Sequence, residues 1–159
     1  LMVYAKDVQT QQSLINGWQQ LVTDRRYVAL VSGELENPKG VIRSWLTEDK
    51  HFVTHSSPVN NGGKYAVTHY NVLRSSNGYS LVELELETGR KNQIRVHLSD
   101  MGHPIVGDFK YGSSDEGLQR LGLHAYLLAF RHPVTGKYLR FETPVPDSFE
   151  RMLRKTKND

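Results

Sequence analysis

Residues Asn71 to Glu87 read NVLRSSNGYSLVELELE, and no other stretch restricts the fold as much. Asn77-Gly78 is a dipeptide that accepts positive φ at two successive positions, as a two-residue hairpin turn demands. Downstream of it Leu81, Glu83, Glu85 and Glu87 alternate with Val82, Leu84 and Leu86. A period of two gives a strand one wet face and one buried face. The domain therefore has to be built around an antiparallel strand pair.

Other segments supply its company. Val8 to Thr23 places Leu14, Ile15, Trp18, Leu21 and Val22 at helical spacings, which predicts a packing helix with one apolar stripe. Tyr27 to Leu35, YVALVSGEL, predicts a largely buried strand closed by the turn cluster ENPKG, with GVIRSWL as its antiparallel neighbour. HFVTHSSPVNNGGKYAVTHYNVLRS holds a Pro/Asn/Gly loop between two extended runs. From Lys91 to about Met101 the period turns helical, with Ile94, Leu98 and Met101 facing a core and Gly102 as the stop. LHAYLLAFRHP and GKYLRFETPVP predict two more strands, and DSFERMLRKTK a terminal helix capped by Asp147 or Ser148. Hairpin-joined strands with helices between some of them imply an α+β fold on a mainly antiparallel or mixed sheet with flanking helices. The expectation is one domain over residues 1–159, without repeats or an internal linker.

Composition removes several function classes. The 159 residues contain no cysteine, so disulfides, Cys-ligated zinc and a thiol nucleophile are out. No apolar run is long enough to span a bilayer, which leads us to expect a cytoplasmic protein. Twenty Lys+Arg against 17 Asp+Glu is close to balance, yet bunched cations and a pI near 9.1 permit a basic face for a polyanion. His97, His103 and Asp108 match no zinc spacing, and His124 and His132 read as core or turn histidines. Ser99 lies in no nucleophile elbow, and Gly102, Gly107 and Gly112 form neither a dinucleotide fingerprint nor a P-loop. Neither a metal nor an organic cofactor is expected.

The densest chemistry is ETGRKNQIRVHLSDMGHPIVGDFKYG, Glu87 to Gly112. In a helix with Ile94, Leu98 and Met101 inward, Arg95 emerges at the edge of the core, where a guanidinium needs an anion. A structural Asp or Glu and a functional carboxylate or phosphate are equally open there. Arg90, Lys91, Asn92 and Gln93 sit at the helix start, where free N–H groups and the dipole also favour an anion. Tyr27 opens a buried strand just after Arg25-Arg26; its plainest role is packing. RMLRKTK at the end reads first as a solvated basic helix terminus.

RRYVALVSGEL, GKYAVTHYNVL, YSLVELELETGRKNQIRVHLSDMGHPIVGDFKYG and LGLHAYLLAFRHPVTGKYLRFETPVP resemble, in order and spacing, the RluA-type pseudouridine synthases over nearly the whole chain. The resemblance implies cofactor-free isomerisation of uridine to pseudouridine in structured RNA, ribosomal or transfer. In that reaction the base is flipped out, an aspartate attacks the nucleoside, the C1′–N1 bond breaks, and uracil rejoins through C5. By position, Tyr27 corresponds to the tyrosine that packs on the target base and handles the C5 proton, and Arg95 to the arginine that pairs with the catalytic aspartate. Arg90, Lys91, Asn92 and Gln93 become candidates for RNA contacts.

Two departures qualify the match. Where the family usually has His before the Gln, this chain has Lys91-Asn92, and Asn hydrogen-bonds without titrating. The family's aspartate belongs to an H-R-L-D-x-x-T-S-G segment, and no acidic residue here lies in one. LMVYAKD at the start looks strand-like, as though cut inside a domain. We therefore expect an N-terminally truncated synthase domain, inactive alone, whose nucleophile lies upstream of Leu1. The competing expectation is a non-catalytic RNA-binding module on the same scaffold.

Overall fold

The structure, a computed structural model, describes residues 1–115 and 117–154. Seven strands form one antiparallel sheet in the order β3-β2-β4-β5-β1-β6-β7. They are β1 (Val22–Ser32), β2 (Lys39–Glu48), β3 (Thr54–Ser57), β4 (Lys64–Ser76), β5 (Tyr79–Leu86), β6 (Leu123–Arg131) and β7 (Tyr138–Glu142). Three helices accompany them: α1 (Val8–Leu21), α2 (Gln93–Asp100) and α3 (Asp147–Arg154). The expected α+β class is what the chain adopts.

The β4–β5 hairpin turns at Asn77 (φ 60°) and Gly78 (φ 81°), the two positive values that its dipeptide permits. Elsewhere pairing departs from expectation. GVIRSWL, in β2, lies between β3 and β4; β1 pairs instead with β5, Val28 opposite Glu83, and with β6, Val28 opposite His124. Short loops favour neighbours in sequence, but the most apolar strand gains more by taking the sheet's interior, where both its faces are covered. LMVYAKD also differs, for it joins no strand ladder, and Met2 and Tyr4 are exposed.

Both faces of the central strands are buried. On one, Ala29, Val31, Val82 and Leu84 pack with Tyr70 against Ile94 and Leu98 of α2. On the other, Val28, Leu30 and Leu81 meet Phe149, Met152 and Leu153 of α3. β5 thus keeps a wet face only at Glu83 and Glu85, with Glu87 just past its end, because α3 covers Leu81. Burying each such large side chain contributes about 1.5–3 kcal/mol.

The helices shift slightly from their expected bounds. The α1 cap is Asp7, whose carboxylate accepts from Thr10 N at 2.7 Å, yet none of its residues is buried. Its stripe touches the sheet mainly through Trp18 on Phe130, ring centres 5.9 Å apart, while Ile15 stays exposed. α2 begins two residues later than its period suggests, because Asn92 is left-handed (φ 58°, ψ 18°). It stops as expected, with Gly102 at φ 82° and its N–H on Ser99 O. α3 runs to Arg154; the rest of RMLRKTK, Lys155 to Lys157, lies outside the described residues.

Candidate functional site

Arg95 stands on the outer edge of α2, and its partner is Asp108. Nε and Nη2 donate to the two carboxylate oxygens at 2.9 and 2.8 Å, and Nη1 donates to Asn92 Oδ1 at 3.2 Å. The guanidinium lies over the Tyr111 ring at 4.9 Å. Its pKa is raised by the Asp108 hydrogen bonds, so it is charged at every accessible pH. Three of a guanidinium's five N–H donors are engaged, and two remain on a side chain 25% exposed. The anion expected at this core edge is thus supplied within the chain. Gly107 (φ 82°) turns the loop that brings Asp108 back, and Tyr111, next along, closes it.

Asp108 is not placed to act as a nucleophile. Its side chain is 1% exposed and both oxygens are held side-on by one guanidinium. It fixes the orientation of Arg95 instead, and Asn92 helps, since its Nδ2 donates to Tyr111 Oη at 3.2 Å. Tyr111 Oη also accepts from Thr54 N at 3.0 Å, which fastens the site to β3.

Gln93 differs from expectation. It is 2% exposed and fully engaged: Nε2 donates to Val67 O and Thr68 Oγ1, while Oε1 accepts from Thr88 Oγ1 and Arg90 N. An amide with both ends occupied behind a helix has nothing to offer RNA. It belongs to a buried chain of polar groups that continues from Thr68 Oγ1 to His97 Nδ1 (2.8 Å) and from His97 Nε2 to Ser44 Oγ (2.9 Å). Burial lowers the His97 pKa to about 4, so the ring is neutral and packed. This chain joins α2 to β4 and β2, and so sets where Arg95 points.

Arg90, Lys91 and Asn92 remain at the surface or partly so. Arg90 Nε donates to Tyr65 O at 3.1 Å, and its Nη groups make no hydrogen bond or ion pair among the described residues. Lys91 pairs with Glu48 at 2.9 Å and lies 5.4 Å from the Phe52 ring centre. Asn92 turns inward to Arg95 and Tyr111, as above. Gly89 and Arg90 form a ridge between two clefts: Thr47, Glu48, Lys64 and Lys91 line one, Trp18, Arg25 and Glu87 the other. Tyr27, half-buried on β1, packs into the cluster that contains Ile94 and Leu98, so it shares with α2 one face of the sheet.

Sequence reasoning singled out Arg95 and Asn92 but did not give Asp108 or Tyr111 the task of holding Arg95. The GDFKYG segment carries both Asp108 and Tyr111, and its glycine punctuation was the available signal for a loop that returns to the helix.

A family model described as RNA pseudouridylate synthase matches residues 1–100. The uncharacterized RNA pseudouridine synthase YlyB of Bacillus subtilis is 38% identical over 154 residues, 96% of this chain and 50% of that protein. The ribosomal large subunit pseudouridine synthase D of Nitrosomonas europaea is 38% identical over 167 residues, covering 99% and 48%. The chain spans about half the length of the curated relatives it matches. Among solved structures, human RNA pseudouridylate synthase domain containing 4 superposes with a TM-score of 0.69 at 27% identity, covering 95% of this chain and 69% of that one. Human RNA pseudouridylate synthase domain containing 1 gives 0.79 at 24% identity, over 97% and 70%, a likeness of fold.

Proposed function

Given that the chain belongs to the RNA pseudouridylate synthase family, we propose that it forms the Tyr27 and Arg95 side of the active site of an enzyme converting uridine to pseudouridine in RNA. Arg95 carries this reading. A guanidinium held by three hydrogen bonds, with two donors unengaged among the described residues, is preorganised for a further anion. That anion is the nucleophilic aspartate, contributed from outside these 159 residues in an H-R-L-D segment. Asp108 is thus the positioning residue, and the incoming carboxylate the reacting one.

Tyr27 lies on the α2 face of the sheet, with its ring half-buried and available to pack on a flipped base. Its hydroxyl handles the C5 proton once the C1′–N1 bond has broken and uracil has turned. The reaction is an isomerisation, so it calls for no redox partner. Arg90 and Lys91 contact the RNA around the base, and Asn92 contributes through Arg95. Ribosomal RNA is the favoured target, since several relatives are named for the large ribosomal subunit. Among the described residues no helix is long and apolar enough to cross a membrane, and we place the enzyme in the cytoplasm with its RNA.

The test is pseudouridine formation in ribosomal RNA by the 159-residue chain and by a protein in which it follows an H-R-L-D segment. Turnover by the second alone is expected. Turnover by the chain alone would overturn the assignment of the nucleophile to an outside segment.

A further inference from the structure

We propose that Arg25 and Arg90, on either side of Gly89, form a phosphate subsite for the RNA backbone beside Tyr27; this rests on RNA being the substrate. The acidic side chains around Arg25 are each engaged with or placed opposite other partners. Asp24 accepts from Arg26 at 3.0 Å, Arg26 also reaches Glu83 at 3.5 Å, Glu87 meets His69 at 2.7 Å, and Lys91 meets Glu48 at 2.9 Å. Glu85, the remaining carboxylate of the cleft, stands opposite Arg26 in the strand register. Among the described residues Arg25 makes no side-chain hydrogen bond or ion pair, although it is half-buried.

Its seat explains where it points. A Cβ at position 89 would lie 2.6 Å from Arg25 Nη2, so the guanidinium occupies the space that a side chain there would fill. Gly89 has no positive φ; it leaves room for the Arg25 head, the flexible group that a side chain at 89 would push aside. Arg90 follows directly, its Nε tied to Tyr65 O and its Nη groups in no ion pair among the described residues. Two guanidinium groups flanking one glycine repel each other unless an anion lies between them, and phosphate suits both.

The position fits the substrate. Arg25 and Tyr27 are two residues apart on β1, about 7 Å along the strand, and face the same way. The register shift at Arg26/Tyr27 does not alter this, because it places its extra residue on β6 while the β5 pairing runs unbroken from Arg26. A nucleotide whose base rests on Tyr27 would extend its backbone past the Gly89 ridge. Arg25 is then a binding residue that works with Arg90, separate from the Arg95 centre.

Fluorescence anisotropy with a short single-stranded oligouridylate, titrated between about 50 and 200 mM salt, tests this. For single strands each phosphate contact contributes about 0.7 to the slope of log affinity against log salt. Arg25→Gln is expected to lower the slope by about that amount, equivalent to about a threefold smaller loss of affinity across the range. Gly89→Ala should do the same by displacing the guanidinium, and Arg25→Lys should keep the wild-type slope. Wild-type binding with an unchanged slope in both Arg25→Gln and Gly89→Ala would overturn the subsite while leaving RNA as the substrate. An unchanged slope in Gly89→Ala alone would overturn the role given to Gly89. A wild-type chain that fails to bind at about 50 mM salt would overturn the RNA reading itself, and the subsite with it.

Discussion

Asp108 grips Arg95 side-on, each carboxylate oxygen taking one N–H, at 2.8 and 2.9 Å, from a position with 1% of its side chain exposed. Removing one member of such a pair strands the other. Asp108→Asn should lower the unfolding free energy by about 3 kcal/mol. Urea denaturation with an unchanged slope would show it, and a loss below about 1 kcal/mol would mean that the pair is not desolvated as described.

The same pair separates stability from chemistry. Arg95→Met leaves a buried carboxylate unmatched and should destabilise comparably, whereas Arg95→Met with Asp108→Leu should recover most of that loss. In a complete synthase both forms should be slowed about a hundredfold or more with RNA affinity little changed. A double variant that regained turnover would remove Arg95 from the chemistry.

Tyr27→Phe keeps the ring and deletes the hydroxyl. In a complete synthase the turnover rate should fall severely while binding of uridine-containing RNA holds. An unchanged single-turnover rate would limit Tyr27 to packing.

His97 gives the fold a pH dependence. Its pKa is about 4 when folded, against 6.5 for the free side chain, because burial opposes the charge. Between pH 4 and 6.5 the unfolded chain therefore binds a proton that the folded chain does not. This contribution is complete above pH 6.5 and declines as pH falls, by on the order of 3 kcal/mol once pH is below 4. Urea midpoints measured from pH 7 to pH 4 should drop more steeply for wild type than for His97→Gln. Parallel curves would show that His97 is not the titrating group.

Local chemistry was what the sequence made legible. The Asn77-Gly78 turn and the Gly102 stop of α2 depend on residues next to each other, as does the placement of Arg95 at a core edge. The partners of β1 were not legible, because Glu83 and His124 are distant in sequence from Val28 and nothing local specifies which strand takes which edge. The burial of Gln93 was not legible for a related reason: the groups that receive its amide, on Val67 and Thr68, are distant from it in sequence. Asp108 was weighed only as a metal ligand, since its meeting with Arg95 depends on a loop reversal at Gly107.

The sheet order has a consequence for how the chain is made. On a ribosome, β1 emerges long before β6, which completes its second edge with Leu123 opposite Ala29. At about 5–20 residues per second, the most apolar strand of the molecule waits several seconds with a bare row of backbone donors and acceptors. In that interval it is open to pairing with another nascent chain. A chaperone that shields residues 22–32 until β6 arrives would act at the point of greatest exposure, and slow translation between β5 and β6 would lengthen the risk.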